Sequence, residues 1–103
     1  MNYILGERDA GPGRHLVAVD GELDLTAAPD LRDAIDAAVE AGAATVVVDL
    51  NEVTFIDSTA IGVLLAARQR MCRAGGSLEV VCEEPNVVRV LEIVGMRTVA
   101  EAR

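Results

Sequence analysis

Apolar and polar positions along the chain change period several times, and each change marks an element. Tyr3 to Arg8 and His15 to Asp20 are short strand-forming stretches separated by Asp9-Ala10-Gly11-Pro12-Gly13, a turn-rich segment that predicts an antiparallel hairpin. Leu31, Ala34, Ile35, Ala38 and Val39 then recur at helical spacing, with Thr26 placed to cap the helix, Pro29 tolerated in its first turn and Gly42 ending it. Thr45-Val46-Val47-Val48-Asp49-Leu50 is a β-branched run of the kind buried on both faces, which predicts a central strand. A loop from Asn51 to Asp57 leads to a second helix, Ser58 to Arg73, closed by Gly75-Gly76. Leu78 to Cys82 supplies the next strand. Pro85 opens a third helix whose Val87, Val90, Leu91 and Val94 share a face up to Gly95, and Thr98 to Ala100 adds a short edge strand.

Two strands followed by alternating helix and strand imply right-handed crossovers and a mainly parallel sheet. The expected fold class is α/β: a single domain over residues 1–103, with a mixed, mostly parallel sheet of four to five strands and about three helices packed against it. Switches and ligands in such sheets sit beyond the carboxyl ends of the strands, where the loops before the first and second helices emerge. Asp24 and Ser58 lie in those loops.

Composition narrows the function. Tyr3 and Phe55 are the only aromatic residues, so the core is aliphatic. The formal net charge of -8 works against nucleic-acid binding, which needs clustered cations, yet suits an arginine-bearing protein partner. All nine cations are arginines, which removes lysine chemistry. The segment Met1 to Arg8 lacks the basic start and apolar run of a signal peptide, and no apolar stretch reaches spanning length, so a cytoplasmic location away from the membrane is expected. Cys72 and Cys82 have no partnering Cys/His spacing and are read as small core residues. His15, the pair Asp49/Asp57 and the pair Glu83/Glu84 form no recognisable acid-base or metal pattern, and the glycines form no phosphate-cradling motif. Neither cofactor nor metal is expected, and the chain is not read as an enzyme.

Ser58 opens the second helix, where Asp57 or Ser58 itself can cap the first-turn amides. The bland reading is a cap alone. However, Ala60-Ile61-Gly62-Val63-Leu64-Leu65-Ala66-Ala67 is apolar on every side of the helix. If Ile61, Leu64, Leu65 and Cys72 face the sheet, then Gly62, Val63, Ala66 and Arg70 face outward as a small-residue strip that lets a partner approach closely. A phosphate on Ser58 would bring about -1.5 to -2 charges to a helix N-terminus able to tolerate them, but would resist desolvation under a docked partner.

Gly21-Glu22-Leu23-Asp24-Leu25-Thr26-Ala27-Ala28-Pro29, and Val48-Asp49-Leu50 through Phe55-Ile56-Asp57-Ser58-Thr59-Ala60-Ile61-Gly62, resemble the STAS domain of bacterial anti-sigma factor antagonists over nearly the whole chain. The resemblance implies that Ser58 is the serine phosphorylated by an anti-sigma factor that is also an ATP-dependent serine kinase. Asp24 and Asp57 would flank it, and Thr59, Gly62, Val63, Ala66 and Arg70 would complete the partner-binding surface. It further implies that the unphosphorylated protein binds the anti-sigma factor and frees the sigma factor, that phosphorylation ends binding, and that a serine phosphatase resets the switch. The nucleotide would belong to the partner. Ala60 stands where the family commonly has glycine, adding a methyl group close to the phosphoacceptor. The chain ends at Arg103 without the family's usual last helix, and a monomer or weak homodimer is expected.

Two other functions compete with this one. One is a permanent structural STAS subunit of a stress-signalling or transporter complex that does not use phosphorylation. The other is a small α/β enzyme or nucleotide-binding protein, for which no residue set is apparent.

Overall fold

The hairpin foreseen at the start of the chain forms β1 (Tyr3–Asp9) and β2 (Arg14–Leu23), paired antiparallel from Tyr3 opposite Gly21 to Asp9 opposite His15. This is seen in a computed structural model that describes residues 2–96 and 98–99. The chain continues through α1 (Ala28–Glu40), β3 (Thr45–Ile56), α2 (Ser58–Arg73), β4 (Ser77–Val81), α3 (Pro85–Ile93) and β5 (Thr98–Val99). Among the described residues the sheet has five strands in the order β1-β2-β3-β4-β5, and every pair after the first is parallel. The far end of the expected last strand, Ala100, lies outside the described residues.

Each helix joins neighbouring parallel strands, and a right-handed crossover repeated in one direction puts all three helices on the same face of the sheet. The core agrees. Leu31 and Ile35 of α1, Leu64 and Ala67 of α2 and Leu91 of α3 share one buried cluster with Val17, Val19, Val46, Val48 and Val80. Leu16, Val47 and Val81, which alternate with those strand residues, form a small separate cluster on the other face.

Three expectations need correction. First, residues 51–56 are not a loop: β3 runs on to Ile56 and stays paired with β2 as far as Leu23. Two register irregularities, between Ala18 and Asp20 and between Gly21 and Glu22 on the β2 side, accommodate the extra residues. They let Leu50, Val53 and Ile56, three residues apart, all face the core. Secondly, Thr26 does not cap α1, whose N-terminal boundary at Ala27 has no side-chain cap; the neighbouring Asp24 serves the loop instead. Thirdly, Cys72 is exposed and Met71 fills the core position, whereas Cys82 is buried. The packed face of α2 is therefore Ala60, Ile61, Leu64, Ala67 and Met71, with Leu65 only partly buried.

Gly21 has a backbone requirement of its own. Its φ is +107°, and a Cβ built there would lie 2.3 Å from the carbonyl oxygen of Asn2. Glycine allows β1 to cross closely over the end of β2, where the Glu22 amide donates to that same oxygen at 2.8 Å.

Candidate functional site at the start of the second helix

Two strand ends and the two helices that follow them build the site. At the end of β2, Asp24 Oδ1 accepts from the amides of Thr26 at 3.0 Å and Ala27 at 3.2 Å, folding the loop back on itself before α1. At the end of β3, Asp57 adopts extended geometry (φ -110°, ψ 177°) and its Oδ1 accepts from the Ala60 amide at 3.0 Å. Asp57 is thus the N-cap, satisfying an amide that the first turn leaves free. The next residue, Ser58, begins the helix and is exposed, as is Thr59.

Along α2 the other outward positions line up beside the buried Ala67. Thr59, Gly62, Val63, Ala66, Ala67 and Arg70 form one wall of a groove of about 290 Å³ whose other wall is Arg32 and Ile35 of α1. Gly62 and Ala66 are exposed, Val63 is half-buried, and a Cβ added at Gly62 would meet nothing within 4 Å. At the far end of the groove Arg70 pairs with Asp36 across the two helices. The second helix therefore has a sheet face that is packed and a groove face that is open to close approach.

All the residues singled out from the sequence, Asp24, Asp57, Ser58, Thr59, Gly62, Val63, Ala66 and Arg70, lie just beyond these two strand ends or on this groove. The geometry separates their parts. Asp24 and Asp57 use their carboxylates to hold backbone, while Ser58 presents a hydroxyl to solvent. Ala60 is fully buried, so its methyl group packs in the core and does not cover Ser58.

Two residues were missed by sequence reasoning. Leu25, in the loop after Asp24, and Phe55, three residues before Ser58, are large apolar side chains standing in solvent. The sequence carried no signal for either, because an apolar residue beside a core position reads as core.

Elsewhere, Tyr3 donates its hydroxyl to Asp30, and that carboxylate holds the phenol above its usual pKa. Burial pushes the Cys82 thiol up. Among the described residues no group of three or more His, Cys, Asp or Glu side chains could hold a metal ion, and no helix is long and apolar enough to cross a membrane.

Comparison with known proteins agrees with this architecture. The sequence profile of the STAS domain matches residues 9–101. The anti-sigma-B factor antagonist of Bacillus subtilis is 29% identical over 85 residues, covering 82% of this chain and 77% of that protein. An anti-sigma factor antagonist from Mycobacterium paratuberculosis, solved as a crystal structure, superposes with a TM-score of 0.85 at 26% identity, over 96% of this chain and 86% of that one. The phosphorylated form of the Bacillus cell fate determinant SpoIIAA shares the fold, with a TM-score of 0.77 at 21% identity over 95% of this chain and 93% of that one.

Proposed function

This chain belongs to the STAS domain family, and from that premise we propose that it is an anti-sigma factor antagonist whose binding is switched by phosphorylation of Ser58. Such proteins bind and regulate rather than catalyse. The unmodified chain docks on an anti-sigma factor through Ser58 and the α1–α2 groove, and the sigma factor is released. That partner is also an ATP-dependent serine kinase: the γ-phosphoryl group passes to Ser58 Oγ, ADP leaves, and the complex comes apart. A serine phosphatase restores the hydroxyl.

One observation carries the reading: an exposed serine hydroxyl opens the helix whose open face lines a groove. The physics of the switch follows from it. A phosphate here adds about -1.5 to -2 charges, and the positive end of α2 tolerates them, so the fold survives. A docked partner would have to strip water from the same group, beside the Asp57 carboxylate, and that desolvation is what ends binding. SpoIIAA, the fold relative, exists in a phosphorylated form, which supports the reading by analogy.

The test is to incubate the chain with its organism's anti-sigma kinase and ATP and locate the modification by mass spectrometry. A single phosphate on Ser58 is expected. Ser58→Ala should bind but accept no phosphate, and Ser58→Asp should lose binding with an unchanged far-UV spectrum. A phosphomimic that binds as tightly as wild type would remove the switch. If, in addition, substitutions at Val63 or Ala66 dissolved a large assembly, a permanent structural subunit would be the better description.

A further inference from the structure

Among the described residues the exposed large hydrophobic side chains are Ile4, Leu25, Phe55, Ile93 and Val94. Leu25 follows Asp24 in the β2–α1 loop and Phe55 precedes Ser58 by three residues, at 67% and 51% exposure; alternating with the core-facing Ile56, Phe55 points to the helix-free side of the sheet at this same end. Neither is loosely held. Leu25 lies inside the loop that Asp24 pins through the amides of Thr26 and Ala27. Phe55 stands opposite Glu22 in the β2–β3 ladder, one residue before the buried Ile56. Apolar side chains carried on backbone that is already ordered spare a partner the cost of ordering that backbone, which favours their use as interface anchors.

Both lie close to the switch. Phe55 and Ser58 are three residues apart, so their Cα atoms are separated by no more than about 11 Å. Leu25 is two residues beyond Leu23, whose carbonyl accepts from the Asp57 amide at 3.2 Å. The surroundings are acidic: Asp20 pairs with Glu52 in the register, and Glu22, Asp24 and Asp57 follow toward the strand ends. The cations nearby are on the groove side, Arg32 across from Thr59 and Arg70 paired with Asp36.

We infer that Leu25 and Phe55 are the apolar anchors of the docking surface proposed around Ser58, and that the face they fit carries apolar pockets ringed by arginine or lysine. The inference rests on the docking reading above, with the anti-sigma factor as occupant. Division of labour follows: the acidic rim speeds encounter and the two anchors slow release. A negative charge on Ser58 is attracted by the same basic face at long range, so the switch acts at contact distance, through dissociation.

The experiment measures surface plasmon resonance against purified anti-sigma factors from the chain's own organism. Leu25→Ala and Phe55→Ala should each dissociate at least roughly tenfold faster than wild type, as expected of buried anchors. Ile93→Ala, which removes a still more exposed apolar side chain from α3, should stay within about twofold. Wild-type association should slow several-fold as salt rises from about 0.05 to about 0.5 M. Phe55→Thr keeps a strand-forming side chain and replaces the alanine variant if that one unfolds. Wild-type dissociation rates for the Leu25 and Phe55 variants, with Ser58→Asp still unable to bind, would overturn the anchors and leave the docking reading standing. A salt-independent association rate would overturn the basic ring. A wild-type chain that binds none of these anti-sigma factors would overturn both readings together.

Discussion

The backbone amide of Asp57 donates to the carbonyl of Leu23 at 3.2 Å, so the end of β2 and the entry to α2 are joined directly. The next residue on one side is Asp24, which folds the β2–α1 loop; on the other it is Ser58. Through this bond the β2–α1 loop and the β3–α2 junction are tied together at the carboxyl end of the sheet.

Asp57→Ala removes the side-chain acceptor for the Ala60 amide. Loss of an N-cap typically costs about 1 kcal/mol. Urea unfolding should show a decrease of that size, and Asp57→Asn, which keeps the acceptor oxygen, should recover most of it.

Gly21→Ala places a methyl group against the Asn2 carbonyl and forces a non-glycine residue to φ +107°. The strain of such a residue is on the order of 1–3 kcal/mol. A lower denaturation midpoint is expected, with faster amide exchange in β1 than in β4, because β1 is held to the sheet only by β2.

Gly62 tests the groove without disturbing the core. A Cβ at this position meets nothing within 4 Å, so Gly62→Ala should stabilise the chain by about 0.5–1 kcal/mol, the helix-interior difference between the two residues. Gly62→Leu should fold equally well but fill the groove. Calorimetry with the anti-sigma factor should then show binding reduced for leucine far more than for alanine.

The two thiols should behave differently. At neutral pH a thiol reagent should modify exposed Cys72 quickly and buried Cys82 only as the fold opens. Because burial raises the Cys82 pKa in the folded state, its contribution to stability is fully present below the unfolded thiol value of about 8.5 and is lost as pH rises through the folded value. Unfolding free energy should fall on the alkaline side, and Cys82→Ala should flatten that fall. Tyr3, raised by Asp30, adds a loss of the same sign at higher pH.

Much of the fold was legible. The limits of α2, Ser58 to Arg73, coincide with the sequence expectation because both ends are signalled locally, by the Asp57 cap and by Gly75 with φ +84°. The second half of β3 was not legible, because Leu50, Val53 and Ile56 repeat at threes and the register shifts that reconcile this with a strand involve β2. Cys72 was misplaced for a related reason. A helix apolar on all sides has no stripe to orient it, and rotation by one residue exchanges Met71 for Cys72.

The sequence alone determined the order and kind of the elements, and that Asp24 and Ser58 stand beyond strand ends on one side of the sheet, because caps, turns and periodicity act within a few residues of the chain. Only the tertiary structure decided which apolar side chains are left in water. Leu25 and Phe55 are exposed although Leu23 and Ile56 beside them are buried. Burial is set by which distant segments pack overhead, and no local pattern of residues carries that information.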